Sequence, residues 1–311
     1  MRRFGWFRRK PQAPAPTGLI QEFVPTLEIG GRKRAAGVPY PLPADLEETN
    51  RLDFQHYLLR YAFQGLYAAP ISHPGSILDV GTGTGRWAME MAALFPRSQV
   101  MGLDIKPPPA DESTSPGGMD TRPPNYQFVA GNVLEGLPFP DNSFDFVHMR
   151  LLLAAIPSDR WQFVVNELAR VTRSGGWIES IETVPPRDGG PALDRVFGWI
   201  VETLARRGIS YYDGGKVAQR MRDAGLVQLV ARDLVLPMGA HGGRVGGMVA
   251  VTGFAVAKGL SGMMIANGIT TAEEFDRMLA EAPADVNAPQ SQAATSFPLA
   301  YGQKPVYVNG Y

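Results

Sequence analysis

The chain has 311 residues, 44% of them hydrophobic and 19% charged, a balance that excludes a wholly disordered protein and permits a buried core. Its 30 basic and 30 acidic side chains cancel, which argues against a surface built to bind nucleic acid. The sequence contains no cysteine, which excludes disulfides, thiolate nucleophiles and cysteine-bound metal centres and leads us to expect a cytoplasmic protein.

The first 44 residues are expected to form a flexible basic arm rich in proline and glycine. Residues 1–10 carry five basic side chains among three aromatic ones, and no apolar stretch of signal-peptide length follows. Two interpretations stay open for them, a disordered basic tail or a foothold on an anionic membrane surface. Residues 19–43 are predicted to be irregular because glycine and proline recur in them. We expect neither secretion nor stable membrane insertion.

Residues 45–311 are predicted to form one α/β domain with a core at 70–184. Apolar residues recur at helical spacing over 45–69 and indicate a helical lead-in. Short apolar runs then alternate with helical ones: strands are predicted at 76–81, 99–104, 126–130, 144–149 and 177–181, and helices at 86–95 and 161–171. A long surface loop at 106–124 and a turn at 174–176 separate some of them. The alternation is typical of parallel βαβ units, whose ligands bind beyond the carboxyl ends of the strands.

The pattern after residue 185 predicts inserted helices, over about 190–285, that form a lid. The predicted elements are helices at 193–207, 215–224, 246–265 and 270–282, a strand at 227–236, and a final strand at about 295–303. The helix at 246–265 is apolar, but Lys258 and several glycines favour a buried or pocket-lining helix over a membrane span. Its methionines Met248, Met263 and Met264 either line an apolar acceptor site or pack in the core.

A glycine-rich turn, DVGTGTG at residues 79–85, lies between a predicted strand and a predicted helix. Glycines let a ligand approach the backbone closely, because no Cβ intrudes and positive φ is accessible. The Gly-x-Gly-x-x-Gly spacing of dinucleotide sites is absent, and the Asp79 carboxylate would repel a pyrophosphate. Asp104, which ends the next strand about 20 residues later, can accept both hydroxyls of a ribose. A nucleoside with neutral or cationic groups fits this pattern.

These motifs, together with AGNV at 130–133, resemble the class I S-adenosylmethionine-dependent methyltransferases over residues 76–183. The resemblance implies a doubly wound, mostly parallel, seven-stranded Rossmann-like α/β sheet and S-adenosyl-L-methionine as the cofactor. It also implies that the glycine loop touches the methionine and ribose, that Asp104 holds the ribose, and that Ile105, Asn132 and Val133 lie at the adenine. The residues expected at the cofactor are Asp79, Gly81, Thr82, Gly83, Gly85, Asp104, Ile105, Asn132, Val133, Arg150 and Tyr57.

A narrower resemblance involves NRLDFQH at 50–56, the glycine loop and FDFVHMR at 144–150. These segments are similar to LaeA-like methyltransferases of secondary metabolism and to UbiE-like small-molecule methyltransferases. The resemblance implies an enzyme of secondary metabolism, or a cofactor-binding regulator that acts through a protein partner.

Methyl transfer from a sulfonium mainly requires an aligned acceptor and, where needed, a base. The candidate catalytic residues are His148, Arg150, His241 and Glu182, and His56 is a further candidate base. A buried core histidine remains the alternative for His148, and a structural ion pair for Arg150, whose guanidinium can also hold the methionine carboxylate or an anionic acceptor. No residue cluster has metal-ligand spacing.

We therefore expect a methyltransferase for a small or medium-sized, partly apolar metabolite, with oxygen favoured slightly over nitrogen or carbon as acceptor. The regulator stays open as an alternative, and a nicotinamide-dependent oxidoreductase is disfavoured by the glycine spacing. The expected partner is the small-molecule acceptor, with no nucleic acid, and a homodimer remains open.

Overall fold

The computed structural model describes residues 26–37, 40–108 and 122–306. The expectation about the basic residues 1–10 lies outside these ranges, as does most of the loop predicted at 106–124.

A two-stranded antiparallel hairpin occupies part of the segment that was expected to be irregular. Its strands are β1 (Thr26–Ile29) and β2 (Arg32–Ala35). Gly30 and Gly31 connect them with φ angles of 58° and 73°. Positive φ at both central residues is what a two-residue hairpin turn requires, and glycine adopts it without steric cost. The prediction of an irregular arm was wrong here because paired glycines also mark a hairpin.

The central feature is one seven-stranded sheet with the order β5-β4-β3-β6-β7-β9-β8. Its strands are β3 (Ser76–Val80), β4 (Gln99–Asp104), β5 (Tyr126–Ala130), β6 (Phe144–Arg150), β7 (Thr172–Ile181), β8 (Val227–Pro237) and β9 (Ala294–Gln303). Strands β3 to β7 pair in parallel, and β9 runs antiparallel to both of its neighbours. The predicted doubly wound, mostly parallel seven-stranded sheet is confirmed.

Seven α-helices accompany the sheet in the described part of the chain: α1 (Leu46–Phe63), α2 (Arg86–Leu94), α3 (Trp161–Val171), α4 (Pro191–Ala205), α5 (Val217–Asp223), α6 (Gly243–Ala266) and α7 (Ala272–Asn287). Helix α1 begins after Asp45, whose side chain accepts from the Glu48 N–H, and it ends before Gln64, which has a left-handed conformation. It is therefore shorter than the predicted 45–69. The turn predicted at 174–176 lies inside β7, where the pairing with β6 is irregular.

The core lies on both faces of the central strands, as expected for parallel strands that helices cover on each side. Leu78 of β3 and Val147 of β6 pack in one cluster of buried side chains, whereas Ile77 and Phe146, which point to the opposite face, pack in a second cluster; none of the four has exposed surface. Burial of each such side chain contributes roughly 1.5–3 kcal/mol to folding. The carboxyl ends of β3, β4 and β6 are thereby held rigidly next to each other.

Among the described residues, one helix, which coincides with α6, is long and apolar enough to cross a membrane by length and composition. In the tested window of 18 residues 44% are buried, and Met263 and Met264 are buried within the hydrophobic core.

Candidate cofactor and acceptor site

A cavity opens at the carboxyl ends of β3, β4 and β6, and we call it the central cavity. It encloses about 1460 Å³, counted to its open mouth. Asp79 at the end of β3, Asp104 at the end of β4 and Arg150 at the end of β6 all line it. Ligands of doubly wound sheets bind at this edge.

The glycine loop forms the floor of the central cavity. Gly81, Gly83 and Gly85 have φ angles of 73°, 55° and 75°, a region that favours glycine. The N–H groups of Gly81 and Thr82 donate to the Leu103 carbonyl at 2.8 and 3.0 Å, which ties the loop to β4. Gly81, Thr82 and Gly83 line the cavity, whereas Gly85, which was also predicted at the cofactor, is the N-cap of α2 and does not line it. The first part of the loop thus brings its backbone to the cavity.

Two side chains contact the Asp79 carboxylate. The Thr82 hydroxyl donates to Asp79 Oδ2 at 2.7 Å, and His148 Nδ1 lies 3.0 Å from Asp79 Oδ1. The imidazole stacks on Trp87 with 3.8 Å between ring centroids and has no exposed surface. His148 does not line the cavity, so its position fits a buried core histidine that contacts Asp79. The position does not fit the predicted role as a base, because a base must reach the acceptor.

Asp104 lines the central cavity with a carboxylate that is already oriented. Its Oδ2 accepts from the Gly83 N–H at 2.8 Å and its Oδ1 from the Ile105 N–H at 2.7 Å. Burial raises the pKa of Asp104, and the N–H groups of Gly83, Ile105 and Lys106 oppose the shift. An ionised carboxylate has about four lone-pair positions, so the group can still accept a hydrogen bond from the ribose.

The three residues predicted at the adenine lie in one wall. Ile105, Asn132 and Val133 all line the central cavity. The Asn132 side chain is fixed by its own turn, since Nδ2 donates to Glu135 Oε1 at 2.9 Å and Oδ1 accepts from the Leu134 N–H at 3.1 Å. A ring that enters here meets an ordered wall next to Asp104.

Arg150 brings a positive charge into the central cavity. Its Nη2 donates to His56 Nδ1 at 3.1 Å, and among the described residues no carboxylate lies within ion-pair distance of its guanidinium. Burial lowers the pKa of Arg150. The alternative of a structural ion pair therefore does not apply, and the guanidinium fits an anionic group of a ligand.

Tyr57 does not reach this cavity. Its side chain is 45% exposed and lines a separate groove on the other side of α1, together with Arg60, Tyr61 and Val245. The neighbouring residue His56, 2% exposed, faces the cavity instead. The prediction that Tyr57 contacts the cofactor is wrong because the helix turns that side chain away.

Two candidate catalytic residues also lie elsewhere. Glu182 has no exposed surface and accepts from the N–H groups of Leu152 and Leu153, both at 3.1 Å, so it holds the loop behind the cavity wall. Burial raises the pKa of Glu182 to about 8. His241 is exposed in the short 3₁₀ turn Ala240–Gly242, and neither residue lines the cavity. The catalytic roles predicted for both are not supported by their positions.

The cover of the central cavity comes from the amino-terminal side of the domain rather than from the predicted lid. No lining residue belongs to 190–285, and Met248, Met263 and Met264 are not in the wall. Helix α1 and the segment 40–45 form the cover. The sequence prediction missed Tyr40, Glu48 and Gln55 at this wall. For Glu48 and Gln55 a signal was available, because residues seven apart share a helix face, whereas Tyr40 precedes the helix and had no such signal.

Glu48 and Arg51 form a buried ion pair in this cover. Arg51 donates to both Glu48 oxygens, at 2.8 and 2.7 Å, and the side chains are 6% and 5% exposed. The Tyr40 hydroxyl donates to Glu48 Oε1 at 3.2 Å. The ion pair fixes the first turns of α1 over the cavity.

Sequence comparison finds similarity to methyltransferases. Residues 77–176 match the family model described as a methyltransferase domain. The chain is 30% identical over 213 residues to methyltransferase str2 of Strobilurus tenacellus, a match that spans 66% of this chain and 73% of that protein. It is 34% identical over 148 residues to N-methyltransferase verN of Clonostachys rogersoniana, spanning 46% of this chain and 50% of the relative.

Two further similarities concern a regulator and a solved fold. The secondary metabolism regulator laeA of Aspergillus niger is 32% identical over 148 residues, 46% of this chain and 36% of that protein. Among solved structures, phosphoethanolamine N-methyltransferase 2 of Haemonchus contortus, in complex with phosphomonomethylethanolamine and S-adenosylhomocysteine, has a TM-score of 0.50 at 14% identity. That match covers 84% of this chain and 59% of the other, and it shows a shared fold.

Proposed function

The chain belongs to the S-adenosylmethionine-dependent methyltransferases, and we propose that the acceptor of its methyl group is a small or medium-sized, partly apolar metabolite. The observation that carries the proposal is the composition of the central cavity. Its floor and one side are polar, with Asp104 and Arg150, whereas Leu52, Leu151 and Leu152 add apolar surface to the same space.

The polar part of the cavity fits S-adenosylmethionine. Asp104 keeps lone pairs for ribose hydroxyls, and the Arg150 guanidinium has no carboxylate partner of its own in the described part of the chain. At Gly83 a Cβ would lie 3.8 Å from Leu52 Cδ1, between two cavity walls, so glycine keeps that space free for a ligand.

S-adenosylmethionine, when bound, supplies a methyl group on a positively charged sulfur. The contribution of the chain is alignment, because in-line approach of the acceptor lowers the entropic part of the barrier. Asp104 would hold the ribose and Arg150 the methionine carboxylate, on the two sides of the sulfonium, and α1 with the segment 40–45 would shield the reacting groups from water. The apolar side chains of Leu151, Leu152 and Ala155 restrict how an acceptor lies.

The acceptor atom is the finer part of the proposal. We favour oxygen slightly over nitrogen or carbon, whereas the similarity to the N-methyltransferase verN favours nitrogen. Both atoms are nucleophiles that a partly apolar pocket can present to the sulfonium. The two candidates are separated by incubating the protein with paired phenol and amine acceptors of the same carbon skeleton.

A second candidate function is regulation through a protein partner, which the similarity to laeA favours. Such a regulator binds the cofactor and turns over none of the small acceptors. An enzyme converts at least one of them, with cofactor bound in both cases.

The test is an acceptor screen with S-adenosylmethionine that carries a labelled methyl group. Label in a small-molecule product, lost in Asp104→Ala but retained in the surface variant Asp188→Ala, is the expected result, since Asp188 is 62% exposed in its side chain. Label found only in protein or RNA, or in no product, would contradict the proposed acceptor class.

A further inference from the structure

We infer that His56 is a positioning residue that aims the Arg150 guanidinium at the carboxylate of the cofactor's methionine end. The inference rests on the proposed function of the central cavity and deepens it. Its basis is the partly buried hydrogen bond from Arg150 Nη2 to His56 Nδ1, 3.1 Å long, between two residues that line the cavity.

The donor in this hydrogen bond is unambiguous. A guanidinium carries N–H donors and has no acceptor, so His56 Nδ1 must be the acceptor and must be unprotonated. The imidazole is therefore neutral, with its hydrogen on Nε2. This state agrees with the lowered pKa of His56, caused mainly by burial and secondly by the positive charge of Arg150.

The other side of the imidazole faces α2. His56 Nε2 lies 3.3 Å from Glu90 Oε1, outside hydrogen-bond geometry but near enough for electrostatic attraction, and Glu90 is itself bound by Arg60 at 2.9 Å. The ring of Tyr57 contacts the imidazole edge-on at 5.2 Å between centroids. Asp79 of β3 is the remaining charged group that acts on His56. These contacts fix the ring plane, so His56 Nδ1 presents its lone pair in one direction.

The consequence is a guanidinium that is oriented but not neutralised. A carboxylate partner would orient Arg150 and cancel its charge, whereas a neutral imidazole orients it and leaves the charge for a ligand. The methionine end of S-adenosylmethionine carries the anionic group that suits this arrangement. His56 therefore contributes to affinity for the amino-acid end of the cofactor and not for its adenosine end.

The test compares two ligands that share the adenosine and the methylated sulfur. S-adenosylmethionine has the carboxylate, and 5′-methylthioadenosine lacks the whole amino-acid end. Binding of both is measured by calorimetry on the wild type, His56→Leu, His56→Asn and Arg150→Gln. Leucine removes the acceptor, whereas the asparagine oxygen can occupy the position of Nδ1. Thermal melting of each variant confirms that it is folded.

We expect His56→Leu to weaken S-adenosylmethionine binding about ten-fold, the size expected from losing one hydrogen bond to a charged group. Binding of 5′-methylthioadenosine should stay within about two-fold, and His56→Asn should restore most of the loss. In the wild type, the preference for S-adenosylmethionine over 5′-methylthioadenosine should fall only as the pH drops below about 6.5, because the pKa of His56 is lowered from that value and a protonated His56 is a donor that repels Arg150. His56→Asn should lack this pH dependence.

Equal weakening of both ligands in His56→Leu, or no weakening of either, would overturn the inference. If His56→Leu loses the preference for S-adenosylmethionine over 5′-methylthioadenosine but Arg150→Gln keeps it, the inference is also overturned, because His56 is placed to act through Arg150. Failure of the proposed function gives a different result, because then the wild type binds neither ligand or transfers no methyl group to a small acceptor.

Discussion

The glycine loop offers a direct test, because two of its glycines share a backbone conformation and differ in their surroundings. Gly81 and Gly83 both have positive φ. A Cβ at Gly81 would collide with Leu152, 2.8 Å from both Cγ and Cδ1 and closer still to Cδ2. A Cβ at Gly83 would have Leu52 Cδ1 as its nearest neighbour, at 3.8 Å.

The two alanine variants should therefore differ in stability. Both carry the cost of an alanine in the left-handed region, roughly 1 kcal/mol. Gly81→Ala carries an overpacking cost of about 1–3 kcal/mol in addition. Rotation of the leucine methyl groups cannot remove it, since Leu152 Cγ is also too close and the Leu152 N–H is bound to Glu182.

Urea unfolding of the two variants measures this difference. We expect Gly81→Ala to be less stable than Gly83→Ala by about 1–3 kcal/mol, and Leu152→Ala to remove most of the gap in the double variant. Gly83→Ala should instead show its main effect in weaker cofactor binding, because its methyl group enters the cavity. Equal stabilities for the two variants would refute the reasoning about the loop.

Three further predictions concern side chains away from the loop. Burial raises the pKa of Glu182 from 4.5 to about 8, so the folded state binds the proton more tightly than the unfolded state, and the free energy of unfolding falls as the pH rises between these values. Glu182→Gln should flatten the pH dependence of urea unfolding by up to ~1.4 kcal/mol per pH unit, and an unchanged slope would contradict this. Arg51→Met leaves the Glu48 carboxylate buried and unpaired, at a cost of about 3–5 kcal/mol in chemical denaturation, and Glu48→Leu in the same chain should recover most of it; no recovery would argue against the pair. Thr271→Ala removes the side chain that accepts from the Glu274 N–H at 3.1 Å at the start of α7, and a loss of about 1 kcal/mol is expected; an unchanged melting temperature would show that this cap contributes nothing.

The local part of the site could be predicted from the sequence because its chemistry is continuous along the chain. A buried strand, an acid, alternating glycines and a helix start define the loop at 79–85, and Asp104 ends the next strand in the same way. Parallel pairing then brings these strand ends together. Asp79, Gly81, Gly83 and Asp104 accordingly line one cavity.

The parts that depend on tertiary packing could not be predicted in this way. His56 and Tyr57 are adjacent, and a helix turns about 100° per residue, so one faces the cavity and the other the outer groove. The sequence gives no sign of which one. Histidine is likewise a common catalytic base, and only the tertiary structure shows that His148 stacks on Trp87 and contacts Asp79 within the core.

The sequence could not predict which helix covers the cavity either. The apolar helix α6 resembles a lid element by composition, but it packs against α1 and α4 and contributes no residue to the central cavity. The short hairpin β1–β2 and Asp45 instead hold the start of α1, through the Arg32 to Asp45 hydrogen bond of 2.8 Å. Which of the two helices covers the site depends on packing partners that lie far apart in the sequence.

Calorimetry of S-adenosylhomocysteine binding, on the wild type, Asp104→Ala and the surface control Asp188→Ala, is the decisive measurement of the cofactor site. We expect binding in the micromolar range that weakens by about ten-fold or more in Asp104→Ala and is unchanged in the control, because Asp104 is placed to accept hydrogen bonds from the ribose hydroxyls. Equal affinity of all three proteins would contradict the placement of the ribose at Asp104, and absence of binding in the folded wild type would contradict the assignment of the central cavity to the cofactor.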